Sequence, residues 1–165
     1  SVLRTFRSAF PYAMAWRTLP GDLVLLGSNS PIPADFKALE RRFSEPAVKA
    51  DLARVKVGRV ATLLSVQVAS EQGFARIVDV LGARSRLNED RFPVLEFQAP
   101  KAFYMAAEAA LFERYDQRLA PDPSGELLLS RYLRQRGRPL SREEYADLAA
   151  FHGQFSGPFY EAARR

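Results

Sequence analysis

The stretch "YAMAWRTLPGDLVLLGSN", residues 12–29, is the only part of the sequence that reads clearly as β structure. Tyr12, Met14 and Trp16 alternate with Ala13, Ala15 and Arg17, which puts each set on its own face of an extended strand. "LPGD" then supplies a turn, because Pro20 presets its backbone φ and Gly21 tolerates positive φ. Residues 23–26, Leu-Val-Leu-Leu, are apolar at every position. A strand apolar on both faces requires cover above and below, as inside an α/β sheet, whereas a solvated hairpin alternates. Two strands alone are marginal in water. The hairpin therefore needs neighbours, from the helices of this chain or from strands outside it.

On its N-terminal side, Val2, Leu3, Phe6 and Phe10 line one helical face, and "FP" stops that helix because a residue before proline leaves the α region. The sequence opens on Ser1 within this pattern, without an initiator methionine or a capping turn, and reads as a piece of a longer protein. On the C-terminal side the texture turns helical. Phe36, Leu39 and Phe43 form a stripe behind Asp35 as N-cap, ending near Ser44. Ser44 is expected to cap the next helix, with Pro46 in its first turn and Val48, Leu52 and Val55 as its buried stripe. In "VATLLSVQVA", residues 60–69, β-branched residues favour a strand, while length and flanking helices favour a helix; a helix is expected. Phe74, Ile77, Val78 and Leu81 mark another helix, ending at Gly82.

Pro93 and Pro100 fence residues 94–97, which are expected to be an extended or irregular edge segment. Residues 102–118 are alanine-rich and helical in pattern, and "APDPSG" reads as a linker. Residues 126–136 and 141–152 read as a helical pair, the second opened by a capping box from Ser141 and Glu144. The expected fold class is mainly α with one β-hairpin, divided into residues 1–100 and a helical extension over 101–165.

Composition excludes several chemistries. At 165 residues and 47% hydrophobic content, the chain can bury a real core. No cysteine is present, so thiolate and disulfide chemistry are out, and with His152 alone no zinc-ligand spacing can be written. Cysteine-free composition suits a reducing compartment. No apolar run approaches a bilayer span. The charge of +5, from 24 basic and 19 acidic residues, is interspersed rather than gathered in a stripe. Arg131, Arg134, Arg136 and Arg138 fit a helix end, where cations oppose the dipole, so no nucleic-acid partner is expected.

Catalytic motifs are sparse. Glu89 with Asp90 reads as turn chemistry, and Glu143 with Glu144 as dipole complementarity. His152 precedes Gly153 at a helix C-terminus, a capping position, with no serine or cysteine motif to complete a triad. The glycines of "LPGD" and "LLGSN" are single and match no phosphate-binding spacing.

The order of elements carries more. "VLRTFRSAFPYAMAWRTLPGDLVLLGSN", then "ERRFSEPAVKADLARV", then "LNEDRFPVLEFQAPKAFY" resembles the C-terminal part of the spermidine synthase (polyamine aminopropyltransferase) family, above all bacterial members fused to many-helix membrane segments. The third stretch resembles the family pattern LN-T-D-D-R-P…LE-F-x-A-P-R through Leu87, Asn88, Asp90, Pro93, Leu95, Glu96, Phe97, Ala99 and Pro100. The likeness covers roughly residues 1 to 104. It implies the terminal edge of a class I methyltransferase-like α/β fold, whose last two strands form an antiparallel hairpin.

It further implies that the longer protein transfers an aminopropyl group from decarboxylated S-adenosylmethionine to a diamine such as putrescine. The family's nucleoside-binding loop and catalytic aspartate have no counterpart in these residues, so no catalytic residue is carried over and no cofactor is assigned to this segment. Substrate-proximal candidates are Trp16, Arg17, Asn88 and Asp90. The implied partners are the upstream part of the same protein and a second copy through the hairpin edge. The implied location is cytoplasmic, with the longer protein attached to a membrane. The rival reading makes residues 101–165 a protein-interaction or oligomerisation module.

Overall fold

The structure, a computed structural model, describes residues 1–19, 22–82, 85–104 and 127–154. Pro20 and Gly21 of the expected turn, the greater part of the alanine-rich helix and the linker at residues 120–125 lie outside these. Among the described residues the chain is mixed α/β and mostly helical, with eight helices and one three-stranded antiparallel sheet.

Helix α1 (Val2–Ala9) gives way at Phe10, which is extended ahead of Pro11. Strand β1 (Tyr12–Leu19) then pairs antiparallel with β2 (Asp22–Ser28), setting Met14 against Leu26, Ala15 against Leu25 and Trp16 against Val24. The two faces of β1 divide as the alternation requires. Ala13 and Ala15 look toward one layer and Trp16 toward another.

Helix α2 (Phe36–Phe43) starts where Asp35 accepts the Ala38 amide at 2.9 Å. Ser44, expected as the cap of the next helix, instead closes α2 by donating its hydroxyl to the Glu40 carbonyl at 2.8 Å. Helix α3 (Pro46–Arg54) begins on Pro46, whose missing amide hydrogen costs nothing there. It ends in a paired cap, the Lys56 amide donating to Ala53 and the Val57 amide to Leu52, with Lys56 left-handed at φ 60°. That turn throws Val57 into the core and leaves Val55 57% exposed, so the expected stripe through Val55 is corrected by one residue pair.

The helix expected over residues 60–69 is also corrected. Helix α4 (Val60–Leu64) stops at Ser65, whose hydroxyl turns back onto the Thr62 carbonyl, and β3 (Gln67–Ala69) follows. Strand β3 joins the second edge of β1, with Ala15 opposite Ala69, Trp16 opposite Gln67 and a one-residue shift between them. An open edge of β1 next to β-branched Val66 and Val68 outweighs the short helical run. The sheet order is β2-β1-β3, so the expected hairpin is two-thirds of a sheet.

Helix α5 (Glu71–Gly82) opens with the Ser70 hydroxyl accepting the Gly73 amide, and Phe74, Ile77 and Val78 are buried against Ala13, Ala15, Val68 and Ala69. Leu3 and Phe6 of α1 and Leu25 of β2 border this core, and Arg7 bridges α1 to Asp79 at 2.7 Å.

Residues 94–97 are helical rather than extended: α6 (Val94–Tyr104) contains Pro100. The cause lies outside the segment. Glu89 and Phe92 bridge across a tight turn, and the Asn88 carboxamide accepts the Leu95 amide at 2.7 Å, supplying an N-terminal cap from seven residues away. Pro100 then removes one intrahelical bond without ending the helix.

Helix α7 (Leu128–Arg136) ends at Gly137, left-handed at φ 69°, and α8 (Arg142–Gly153) opens with the expected capping box of Ser141 and Glu144. Tyr132 and Phe151 from these two helices share a core with Phe36, Phe43, Val57, Val60, Leu64 and Val66. Residue 100, the expected boundary, falls within α6.

Gln67 joins the two layers. It is almost fully buried, and its carbonyl oxygen accepts the Leu128 amide at 2.6 Å, capping α7 from β3. Its amide nitrogen reaches the Ala69 carbonyl at 3.3 Å and the Met14 sulfur at 3.4 Å.

Candidate functional site: the open edge of the sheet

Strand β1 has a neighbour on each side, while β2 has only β1. Among the described residues no strand takes up the outer amides and carbonyls of β2. Its side chains are bare too: Leu23 is 36% exposed, Val24 43% and Leu26 46%. Val24 and Leu26 lie on the same face as Trp16 and Met14, so the helical layer that covers β1 stops short of β2. On this face the cover that Val24 and Leu26 require is absent among the described residues, while on the other face half-buried Leu25 packs against the core of α5.

The strand is nevertheless held in place. Phe10 lies over Gly27, where an added Cβ would come within 2.6 Å of the ring, so only glycine permits this approach. Past the strand, the Ile32 amide donates to Glu71 at 2.9 Å, fixing the exit of β2 to the first turn of α5.

The four substrate-proximal candidates are not gathered into one cluster. Trp16 packs against the helical core, and the neighbouring Arg17, half-buried, ties β1 to the chain before β3 through its amide and the Val66 carbonyl at 2.9 Å. Asn88 docks on the opposite layer, its amide donating to Thr5 of α1 at 2.8 Å while its side chain caps α6. Asp90 is exposed in the turn between Glu89 and Phe92. Asn88 thus has a structural duty that the sequence pattern does not announce.

Two polar clusters lie away from the edge. In the first, the Arg136 guanidinium grips Glu144 through both carboxylate oxygens at 2.6 and 2.8 Å and sits 5.2 Å from the Tyr132 ring centre. The Arg136 hydrogen bonds pull the Glu144 carboxyl down to about 2. Tyr132 donates to Glu40 at 2.7 Å, and burial, then this bond, raise its phenol. The cluster ties α7 to α8 through Arg136 and Glu144 and to α2 through Tyr132 and Glu40, which is the arrangement of a staple. Arg59 adds a second staple, bonded to Asp147 and, at 3.0 Å, to Glu143 of α8.

In the second cluster His152 Nε2 is 2.9 Å from the Ser65 hydroxyl, a pairing across 87 residues that no sequence motif signals. The Ser65 hydroxyl also lies 2.8 Å from the Thr62 carbonyl. The His152 contact fastens the end of α8 to the end of α4.

Among the described residues no group of three or more acidic or histidine side chains could hold a metal ion, and no helix is long and apolar enough to cross a membrane. No protein-family model, curated protein or solved structure matches the chain.

Proposed function

We propose that this chain is the C-terminal part of a spermidine synthase-like aminopropyltransferase, joined to the rest of its sheet through β2. A strand preceding Ser1 would lie against the outer edge of β2 and complete a class I methyltransferase-like sheet. The longer protein would move an aminopropyl group from decarboxylated S-adenosylmethionine to a diamine. The observation that supports this reading is the contrast within the hairpin: β1 has a strand on each side, while the apolar β2 exposes Leu23, Val24 and Leu26 and, among the described residues, has no strand on its outer side. An interior strand separated from its neighbour has these properties. Trp16, Arg17, Asn88 and Asp90 remain the residues proposed to approach the substrate.

The rival, a separate interaction module at residues 101–165, has less support, since Tyr132 and Phe151 are built into the core with Phe36 and Phe43.

The test compares two proteins by calorimetry and by transfer assay: the 165-residue chain, and the same chain preceded by its natural upstream residues. The extended protein is expected to bind decarboxylated S-adenosylmethionine and to aminopropylate putrescine, and the shorter one to do neither. Binding by the short chain alone, or inertness of the extended one, would overturn the proposal.

A further inference from the structure

We infer that in the 165-residue chain the open edge of β2 closes on the same edge of a second copy, giving an antiparallel dimer with its twofold axis at Leu25. This rests on reading β2 as a seam and is independent of the transferase chemistry. Two antiparallel strands related by a twofold axis must place one residue opposite itself, because the axis runs perpendicular to the sheet. Leu25 is the middle residue of the seven in β2. Centring the axis there pairs all seven residues: Asp22 with Ser28, Leu23 with Gly27, Val24 with Leu26, and Leu25 with itself.

That register is chemically self-consistent. Asp22 is the only charged side chain in β2, and it meets a hydroxyl rather than another carboxylate. Val24 and Leu26, both bare, cover each other twice, on the face where the helical layer stops. Moving the axis to Val24 instead sets Asp22 against Leu26 and leaves Gly27 and Ser28 beyond the pairing; moving it to Leu26 leaves Asp22 and Leu23 beyond it. The strand also lacks the lysines and prolines with which natural edges repel one another. The product is a six-stranded sheet, β3-β1-β2-β2-β1-β3, in which each copy supplies the neighbour the other lacks among the described residues. One edge takes one strand, so a preceding strand in the longer protein would exclude this dimer.

Sedimentation equilibrium of the 165-residue chain tests the pairing, and the expected result is a concentration-dependent dimer. Val24→Lys removes no core contact and places a charge in the seam, so it is expected to weaken association at least ~10-fold with the thermal midpoint of the dilute protein unchanged. The cysteine-free sequence allows a register test. Leu25→Cys is expected to form a disulfide-linked dimer under mild oxidation, and Val80→Cys, exposed on α5, is not. A chain that stays monomeric at high concentration, a dimer indifferent to Val24→Lys, or equal cross-linking at both positions would overturn the inference. None of these outcomes bears on aminopropyl transfer by the extended protein, so the two proposals fail separately.

Discussion

The two strands of the hairpin have similar apolar content and opposite surroundings. In β1, Ala13, Met14 and Ala15 are buried between α5 on one side and the helical layer on the other. In β2, three of four consecutive apolar residues face solvent. Local composition therefore does not decide which strand is interior; the reach of the flanking layers does. Among the described residues, the helical layer packed against Trp16 does not extend over Val24 and Leu26.

The sharpest way to break that comparison is to place the same charge in each strand. Ala15→Asp buries a carboxylate without a partner and is expected to cost more than ~4 kcal/mol, enough to prevent folding, whereas Val24→Asp should stay within about 1 kcal/mol of the parent. Urea denaturation of both variants, read by far-ultraviolet circular dichroism at low protein concentration, checks this. Equal losses would mean that β2 is covered after all.

Next in size is the staple that holds the layer over β1. Glu144→Gln leaves Arg136 without its bidentate partner and is expected to destabilise by about 3 kcal/mol. Because the Glu144 carboxyl titrates near 2 when folded and at 4.5 when free, its contribution is complete above 4.5 and disappears as pH falls toward 2. The midpoint difference between parent and Glu144→Gln should shrink over that interval. A difference that held constant down to pH 2 would contradict the assignment.

The bare strand depends on one contact that is expected to be worth less. Gly27→Ala drives a methyl group into the base of the Phe10 side chain and should cost about 1–3 kcal/mol, measured as a drop in thermal midpoint. Phe10→Ala combined with Gly27→Ala should show less than the sum of the two.

Two smaller effects run the other way. Thr62 is fully buried and its hydroxyl has no hydrogen-bond partner among the described residues, so Thr62→Val should stabilise by ~1 kcal/mol in chemical denaturation. Lys56 occupies the left-handed position at the end of α3 that glycine fills most cheaply, and Lys56→Gly should gain up to ~1 kcal/mol, read the same way.

What the sequence made legible follows the range of each signal. The Asp35 cap, the capping box of Ser141 and Glu144, the faces of β1 and the Phe74, Ile77 and Val78 positions of the α5 stripe all act within a few residues, and they appear where the pattern put them; the Leu81 side chain lies outside the described ones. The departures at Ser44 and Val55 come from how each helix ends, and the larger ones from partners farther along the chain. Residues 67–69 become a strand because β1 has a free edge some 50 residues earlier. The helix at 94–97 forms because Asn88, fastened to Thr5, offers its carboxamide to Leu95. Of the candidate site, the bare strand was visible as an apolar run, but not which of the hairpin's two strands would be left uncovered. The Ser65–His152 contact had no local signal at all.

The claim that β2 is an open border is tested most directly by residue-resolved hydrogen exchange of the 165-residue chain across a dilution series. The account predicts slow exchange throughout β1 and, at the lowest concentration, rapid exchange of those β2 amides that point away from β1, with protection returning as concentration rises. Outward β2 amides as protected as those of β1 at every dilution would show that the chain covers this edge itself, and the account would be wrong.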